Sequence, residues 1–234
     1  MATVVLLRHA RSTANGSGVL AGRSEGVELD ESGQRQAEAL VDRLASVALH
    51  SVVRSPLLRC AQTLAPLAAA RGLTPLVEDS FAEVDYGDWT GKAIKDLLAE
   101  PLWKVVQQHP SGAVFPGGES LAGVQSRAVT AVRAHDARVT AAHGDRAVWL
   151  LCSHGDVIKS ILADALGQHL DSFQRIVVDP ASVSVVRYTA TRPFVLRLND
   201  SGSELAGVVP PEPKPGEDLE KAGEAPVGGT TGHP

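Results

Sequence analysis

The chain is poor in cysteine: Cys60 and Cys152 are the only two in 234 residues, and they form no Cys-x-x-Cys pair. Neither a disulfide framework nor a zinc cage can be read from them, and a reducing cytoplasm is the expected location. No apolar run approaches the roughly 18 residues of a membrane span, so no membrane partner is expected. Ala2 to Leu7 is too short for a signal-peptide core and runs directly into Arg8, which argues against a classical secretory signal. The histidines make no His-x-His or His-Glu-x-x-His pattern, so neither a metal nor another cofactor is expected. There is no basic excess: the formal net charge is -5, which disfavours a general nucleic-acid binder. No internal repeat is visible.

What is present is enough apolar material for a sizeable core, with 44% hydrophobic residues and a mean hydropathy of +0.00. The length fits one large α/β domain. Continuous apolar runs at 3–7, 51–54 and 147–152 read as buried strands. Three helices stand out: one after Asp30 or Ser32 carrying Ala37, Leu40, Val41 and Leu44, one over 58–70 stopped by Gly72, and an amphipathic one from Glu119 to about Ala142. A further helix is expected over 92–108 and another from 153–156 to Leu166, with an irregular loop at 79–91 between them and the early elements. Three closing strands are predicted at 174–178, 182–188 and 194–198. Strands alternating with helices imply an α/β layered domain with a mostly parallel central sheet flanked by helices. The last three strands lie too close together for helical crossovers, so some antiparallel pairing is expected there. Beyond Asn199 the composition turns to Gly, Pro and Glu, and residues 200–234 are expected to be a disordered tail.

Strand 3–7 ends in Arg8-His9, and strand 147–152 ends in Ser153-His154-Gly155. In open α/β sheets ligands bind outside the carboxyl ends of the strands, so two strand-terminal histidines can meet there. Arg59 opens a helix just after the strand at 51–54 and offers a cation at the same edge. Arg8, Arg11 and Arg23 all fall near the opening motif, so a local anion site is compatible with a weakly acidic chain.

Four separated stretches in this order, RHARSTAN, SPLLRCAQT, FAEVDYGDWTG and SHGDVI, closely resemble the phosphoglycerate-mutase-like branch of the histidine phosphatase superfamily. The resemblance covers roughly residues 3 to 190 and makes residues 1–199 one such domain. It implies that His9 is a nucleophile that becomes a phosphohistidine. Arg8, Arg59 and His154 would line the phosphate pocket, with Asn15 as a further donor and Gly155 as a substrate contact, and Glu83 would protonate the leaving oxygen.

The chemistry asks for these residue types. Charge spreads over the oxygens of a phosphoryl group in transfer, and arginine meets it with a fixed, permanently charged fork. A neutral imidazole is the attacking form, whereas His154 beside a phosphate dianion is expected to hold its proton. Glu83 must alternate between acid and base, which suits mildly acidic conditions unless burial raises its pKa. Asp85, Asp88, Gln62 and Thr63 read as structural residues, and Trp89 and Trp103 as packing. Three departures from the family pattern stand out. Ala10 replaces a usual Gly and is expected to narrow the pocket. Arg11 replaces a commoner acidic residue and either faces solvent or adds charge near the substrate. Asp156 stands where a second Gly is common, at a helix start that favours a carboxylate.

Three functions are compatible with this pattern: a phosphatase for small phosphomonoesters, a cofactor-dependent phosphoglycerate mutase, and a non-catalytic phosphate-ligand-binding protein. Mutases of the family carry extra basic residues after the Glu loop to hold a second phosphate. Residues 90–120 contain Lys92, Lys95, Lys104 and His109 but no arginine, and instead carry FPGGES, a phosphatase-like form. The expected enzyme is a phosphoric monoester hydrolase acting on a small phosphorylated metabolite. A homodimer is compatible with the sequence but is not dictated by it.

Overall fold

A computed structural model describes residues 1–202. The elements in chain order are β1 (Thr3–Arg8), α1 (Thr13–Ser17), α2 (Glu31–Arg43), β2 (Ser51–Arg54), α3 (Leu58–Arg71), β3 (Leu76–Val77), α4 (Ile94–Leu97), α5 (Pro101–Gln108), α6 (Leu121–His143), β4 (Val148–Ser153), α7 (Gly155–Ala165), β5 (Val183–Arg187) and β6 (Phe194–Asp200). One sheet of six strands runs in the order β3-β2-β4-β1-β5-β6. The pairs β3/β2, β2/β4 and β4/β1 are parallel, while β1/β5 and β5/β6 are antiparallel. This is the mostly parallel sheet with an antiparallel edge that the spacing predicts.

The apolar runs of β1 and β4 are continuous because both faces of the sheet are covered. Side chains alternate along a strand, so Val4 and Leu6 join one core with Trp149, Leu151 and residues of α6 and α7. Val5 and Leu7 join a second core with Leu150, Cys152, Leu40 of α2 and Leu64 of α3. Two helical layers thus enclose one sheet. Asp30 caps α2 by accepting from Gly33 N, and Gly72 closes α3 in the left-handed conformation that glycine adopts at no steric cost.

Three expectations fail. The single helix over 92–108 is two short ones, because the chain turns out of α4 at Leu98–Glu100 and Pro101 starts α5 at the position where its missing N–H costs nothing. Residues 170–175 form 3₁₀ turns and the predicted strand at 174–178 is absent, since Phe173 and Ile176 are buried by packing on the α7 side of the sheet. The short strand β3 was not foreseen, because Leu76 and Val77 are exposed and carry no periodic signal. The chain paired in the sheet extends one residue past 199, to Asp200. Most of the predicted tail, residues 203–234, lies outside the described residues.

Candidate active site

Register brings the two histidines together. β1 and β4 run parallel with Arg8 opposite Ser153, so the next residue on each strand, His9 and His154, leaves the sheet at the same edge. His9 N donates to Ser153 O at 2.9 Å, and the two imidazole centroids lie 5.2 Å apart at 59°. β2 pairs with β4 and delivers Arg59, the second residue of α3, to that edge. The irregular segment after β3 supplies Glu83, anchored to the sheet through the bond from Ser153 Oγ to Phe81 O at 2.9 Å. Arg8, His9, Arg59, Glu83 and His154 are all buried.

The hydrogen bonds assign tautomers to both rings. His9 Nδ1 lies 2.8 Å from the carbonyl of Ala10, which can only accept, so the proton sits on Nδ1. That leaves the Nε2 lone pair facing Arg59, whose Nε donates to it at 3.3 Å. Arg59 Nη2 donates to His154 Nδ1 at 3.2 Å and to Gly22 O at 2.8 Å. His154 Nε2 therefore carries its ring's proton and donates to Ser55 Oγ at 2.7 Å. Burial first, then the Arg59 and Arg8 charges, hold His9 well below the ordinary imidazole pKa, so it is neutral and nucleophilic.

His154 is subject to the same forces as His9. Burial and then Arg59, with smaller contributions from His9, Arg8 and Arg127, also push it well below the ordinary value, so in the protein as it stands it is neutral.

Glu83 Oε2 lies 3.8 Å from His154 Nδ1, and Glu83 Oε1 accepts from Val84 N at 2.9 Å. Burial, and next the charge of Asp156, raise its pKa to about 7 against the opposing pull of Arg59 and Arg8. The condition attached to Glu83 is thus met: burial moves its titration toward neutrality rather than leaving it at mildly acidic pH. Arg8 is fully enclosed and donates through Nη1 to Val178 O at 2.7 Å. Gly155 is the first residue of α7 and is buried beside His154.

Other assignments shift. Asn15 Oδ1 accepts from Ser12 N at 3.0 Å and Ser12 Oγ at 2.8 Å, closing a capping box at the start of α1. Its side-chain oxygen thus serves the turn after the nucleophile. The methyl of Ala10 is buried in a small apolar cluster with Leu29, Ala37 and Ala181. Arg11 is paired with Asp30 at 3.0 Å. Thr63 is structural in a way that touches the site: its Oγ1 accepts from Ala10 N at 2.9 Å and donates to Arg59 O at 2.6 Å, tying the nucleophile's neighbour to the arginine helix. Asp85 Oδ1 accepts from Gly87 N at 3.0 Å, and Trp89 and Trp103 stack with centroids 6.3 Å apart, in keeping with the structural readings.

Sequence reasoning missed the contacts packed around these groups. Tyr86 OH donates to Asp156 Oδ2 at 2.8 Å, and Lys159 Nζ lies 3.6 Å from Asp156 Oδ1, all three buried. Glu119, Arg23 and Arg127 surround the backbone of Glu83. The FPGGES stretch was the available signal. Its backbone lies so close to the Glu83 loop that a Cβ on Gly118 would come within 2.2 Å of Asp85 O, and one on Gly87 within 2.1 Å of Pro116 O.

A buried neutral imidazole thus lies among guanidinium groups, beside a buried carboxyl poised near neutrality. The family model of the histidine phosphatase superfamily (branch 1) matches residues 4–201, and the chain belongs to that superfamily. Phosphoserine phosphatase 1 of Hydrogenobacter thermophilus is 31% identical over 205 residues, covering 85% of this chain and 92% of the relative. A probable phosphoglycerate mutase, GpmB, of Yersinia pestis is 29% identical over 190 residues, covering 80% of this chain and 86% of the relative. The solved structure of mycobacterial glucosyl-3-phosphoglycerate phosphatase Rv2419c in complex with VO3 superposes with a TM-score of 0.74 at 25% identity, covering 84% of this chain and 98% of that one. The expectation of a phosphoric monoester hydrolase agrees with these relatives, two of which are phosphatases by name. Among the described residues, no helix is long and apolar enough to cross a membrane.

Proposed function

We propose that the protein is a phosphatase that hydrolyses small phosphomonoesters through a phosphohistidine on His9. The observation that carries this reading is the tautomer of His9: Nδ1–H is tied to Ala10 O, so the Nε2 lone pair is presented to a pocket edged by Arg59 and Glu83. In the first step Nε2 forms a bond to phosphorus, the ester P–O bond breaks, and the leaving oxygen takes the proton of Glu83. The Ala10 carbonyl then stabilises the cationic phosphoimidazole through Nδ1–H. In the second step Glu83, now ionised, accepts a proton from water as water attacks phosphorus and the P–N bond breaks. Arg8 and Arg59 compensate the charge on the phosphoryl oxygens in both steps.

The mutase reading asks for a second anion site above the first. Among the basic side chains of residues 90–118, His109 is bonded to Asp171 at 3.0 Å. The nearby arginines Arg23 and Arg127 are bound to Glu119. This occupancy favours release of the dephosphorylated product. The test is a panel of phosphorylated metabolites assayed without added metal, alongside interconversion of 2- and 3-phosphoglycerate primed with the bisphosphate. Phosphate release from several phosphomonoesters is expected, with negligible interconversion. Primed interconversion well above phosphate release would overturn the reading.

A further inference from the structure

Resting on the reading of Glu83 as proton donor, we infer that Glu119, with Arg23 and Arg127, forms an ionic clamp that positions Glu83 for proton transfer. The backbone carbonyl of Glu83 accepts from Arg23 Nε at 2.8 Å and from Arg127 Nη2 at 3.3 Å. Both guanidinium groups are in turn held by one carboxylate. Glu119 Oε1 accepts from Arg23 Nη2 at 2.7 Å, from Arg127 Nη2 at 2.7 Å and from Asp85 N at 2.9 Å, while Oε2 accepts from Arg127 Nε at 3.0 Å. Arg127 Nη1 reaches Ser80 O at 2.8 Å, and Glu119 N returns a bond to Asp85 O at 2.9 Å.

These contacts bind three parts of the chain that have no regular pairing with one another: the 22–23 turn, the 80–85 segment and the start of α6. The segment that carries Glu83 is a single 3₁₀ turn followed by extended chain, with no sheet ladder to fix it. Its carbonyls need partners because the segment is buried. The same 22–23 turn is gripped from the pocket side by Arg59, which donates to Gly22 O at 2.8 Å. The clamp thus references the acid to the phosphate-binding arginine, in addition to the single bond from Ser153 Oγ to Phe81 O that ties the segment to the sheet. Burial works to raise the pKa of Glu119, but the Arg127 hydrogen bond, the Asp85 amide and the Arg23 charge prevail and keep it below the usual value. The carboxylate is therefore ionised wherever the enzyme works, and charge-assisted bonds of this kind are the stronger ones.

A positioning role predicts a particular kinetic pattern. Misplacement of a catalytic group by about 1 Å can cost about 10²-fold, and only leaving groups that need a proton feel it. Glu119→Ala and Arg127→Ala are expected to lower kcat about 10²-fold on the alkyl phosphate that the wild type turns over best, with KM unchanged. On p-nitrophenyl phosphate, whose leaving oxygen needs little protonation, the loss should stay under about threefold. Glu119→Gln and Arg127→Lys should recover part of the alkyl rate.

In a Glu83→Gln background, Glu119→Ala should leave the alkyl-to-aryl rate ratio where Glu83→Gln alone puts it. If Glu119→Ala fails to fold by circular dichroism, Arg23→Ala, which removes one half-exposed arm, should show the same selectivity at about tenfold. Equal losses on both esters in the clamp variants, with Glu83→Gln itself selective, would overturn the clamp. So would a further ratio change in the Glu83→Gln background. Equal losses in Glu83→Gln would instead defeat the underlying reading of the acid.

Discussion

Burying Glu83 should cost stability at neutral pH, and the cost can be sized. The carboxyl rises from an ordinary 4.5 to about 7, chiefly through burial and then through Asp156. In the unfolded chain Glu83 loses its proton near 4.5, while in the folded chain it keeps it to about 7. Across that window the folded state binds the extra proton, so stability falls as pH rises and the loss is complete above about 7. At about 1.4 kcal/mol for each tenfold change in proton affinity, the loss is about 3 kcal/mol. His9 and His154, both depressed, contribute the opposite way: their stability is lost as pH falls below the ordinary imidazole value. A wild-type profile alone would mix the two, but the difference between wild type and Glu83→Gln isolates the carboxyl. Gln keeps the shape and can still accept from Val84 N. Urea unfolding of both proteins from pH 4.5 to 8 is the measurement. Glu83→Gln is expected to be close to neutral at pH 4.5 and stabilising by about 2–3 kcal/mol at pH 8, in a variant that has lost activity on alkyl esters. A stability difference that does not change with pH would show that Glu83 titrates normally in the folded protein and refute the reasoning.

Further outcomes follow from the same geometry. His9→Ala should abolish turnover with the fold intact, and quenching with radiolabelled substrate should give no acid-labile, alkali-stable label; activity within about tenfold of wild type would refute the nucleophile assignment. Arg59→Ala should lower alkyl and aryl turnover alike, because its contacts run to both histidines rather than to the leaving group; a selective loss would move it out of the phosphate pocket. Thr63→Val keeps the volume but leaves Ala10 N–H without its partner at a buried position, which should cost about 1–3 kcal/mol in chemical unfolding. No measurable destabilisation would mean that the backbone beside His9 finds another acceptor.

The parts of the fold legible in the sequence are those with strong periodic or composition signals. The apolar runs of β1, β2 and β4 sit within a residue of their predicted places because both faces of each strand are buried. α2 and α3 were visible through their helical patterns and the stop at Gly72. Elements held by tertiary contacts alone were not legible. β3 is two exposed residues, and the turns at 170–175 are held by the burial of Leu170 and Phe173 rather than by pairing in the sheet. The same division runs through the site. His9, Arg59 and His154 were visible because each sits in a short motif at a strand or helix end, and Glu83 through the FAEVDYGDWTG stretch that the family resemblance picks out. Glu119 and Arg127 were not, because Glu119 meets Asp85 across 34 positions and Arg127 meets Glu83 across 44, and no local pattern encodes such contacts.

Asp156 shows how such distant contacts are tied into the site's electrostatics. A guanidinium as enclosed as that of Arg8 is expensive to bury unless acidic groups face it. Burial lowers its pKa, and Glu83, Asp156 and Asp179 oppose that shift. Asp156 in turn is bonded by Tyr86 and faces Lys159, whose own burial is offset first by Asp156. The carboxylate that helps Arg8 keep its charge is the same one that, after burial, raises Glu83. A glycine at position 156 would remove both effects at once, weakening the support of the arginine and returning Glu83 toward an ordinary carboxyl. In this chain Arg8 and Glu83 therefore share one buried neighbour, Asp156, that acts on both. Glu83 stands 3.8 Å from His154 without a fixed ion pair because burial and the Arg59 charge keep that imidazole neutral.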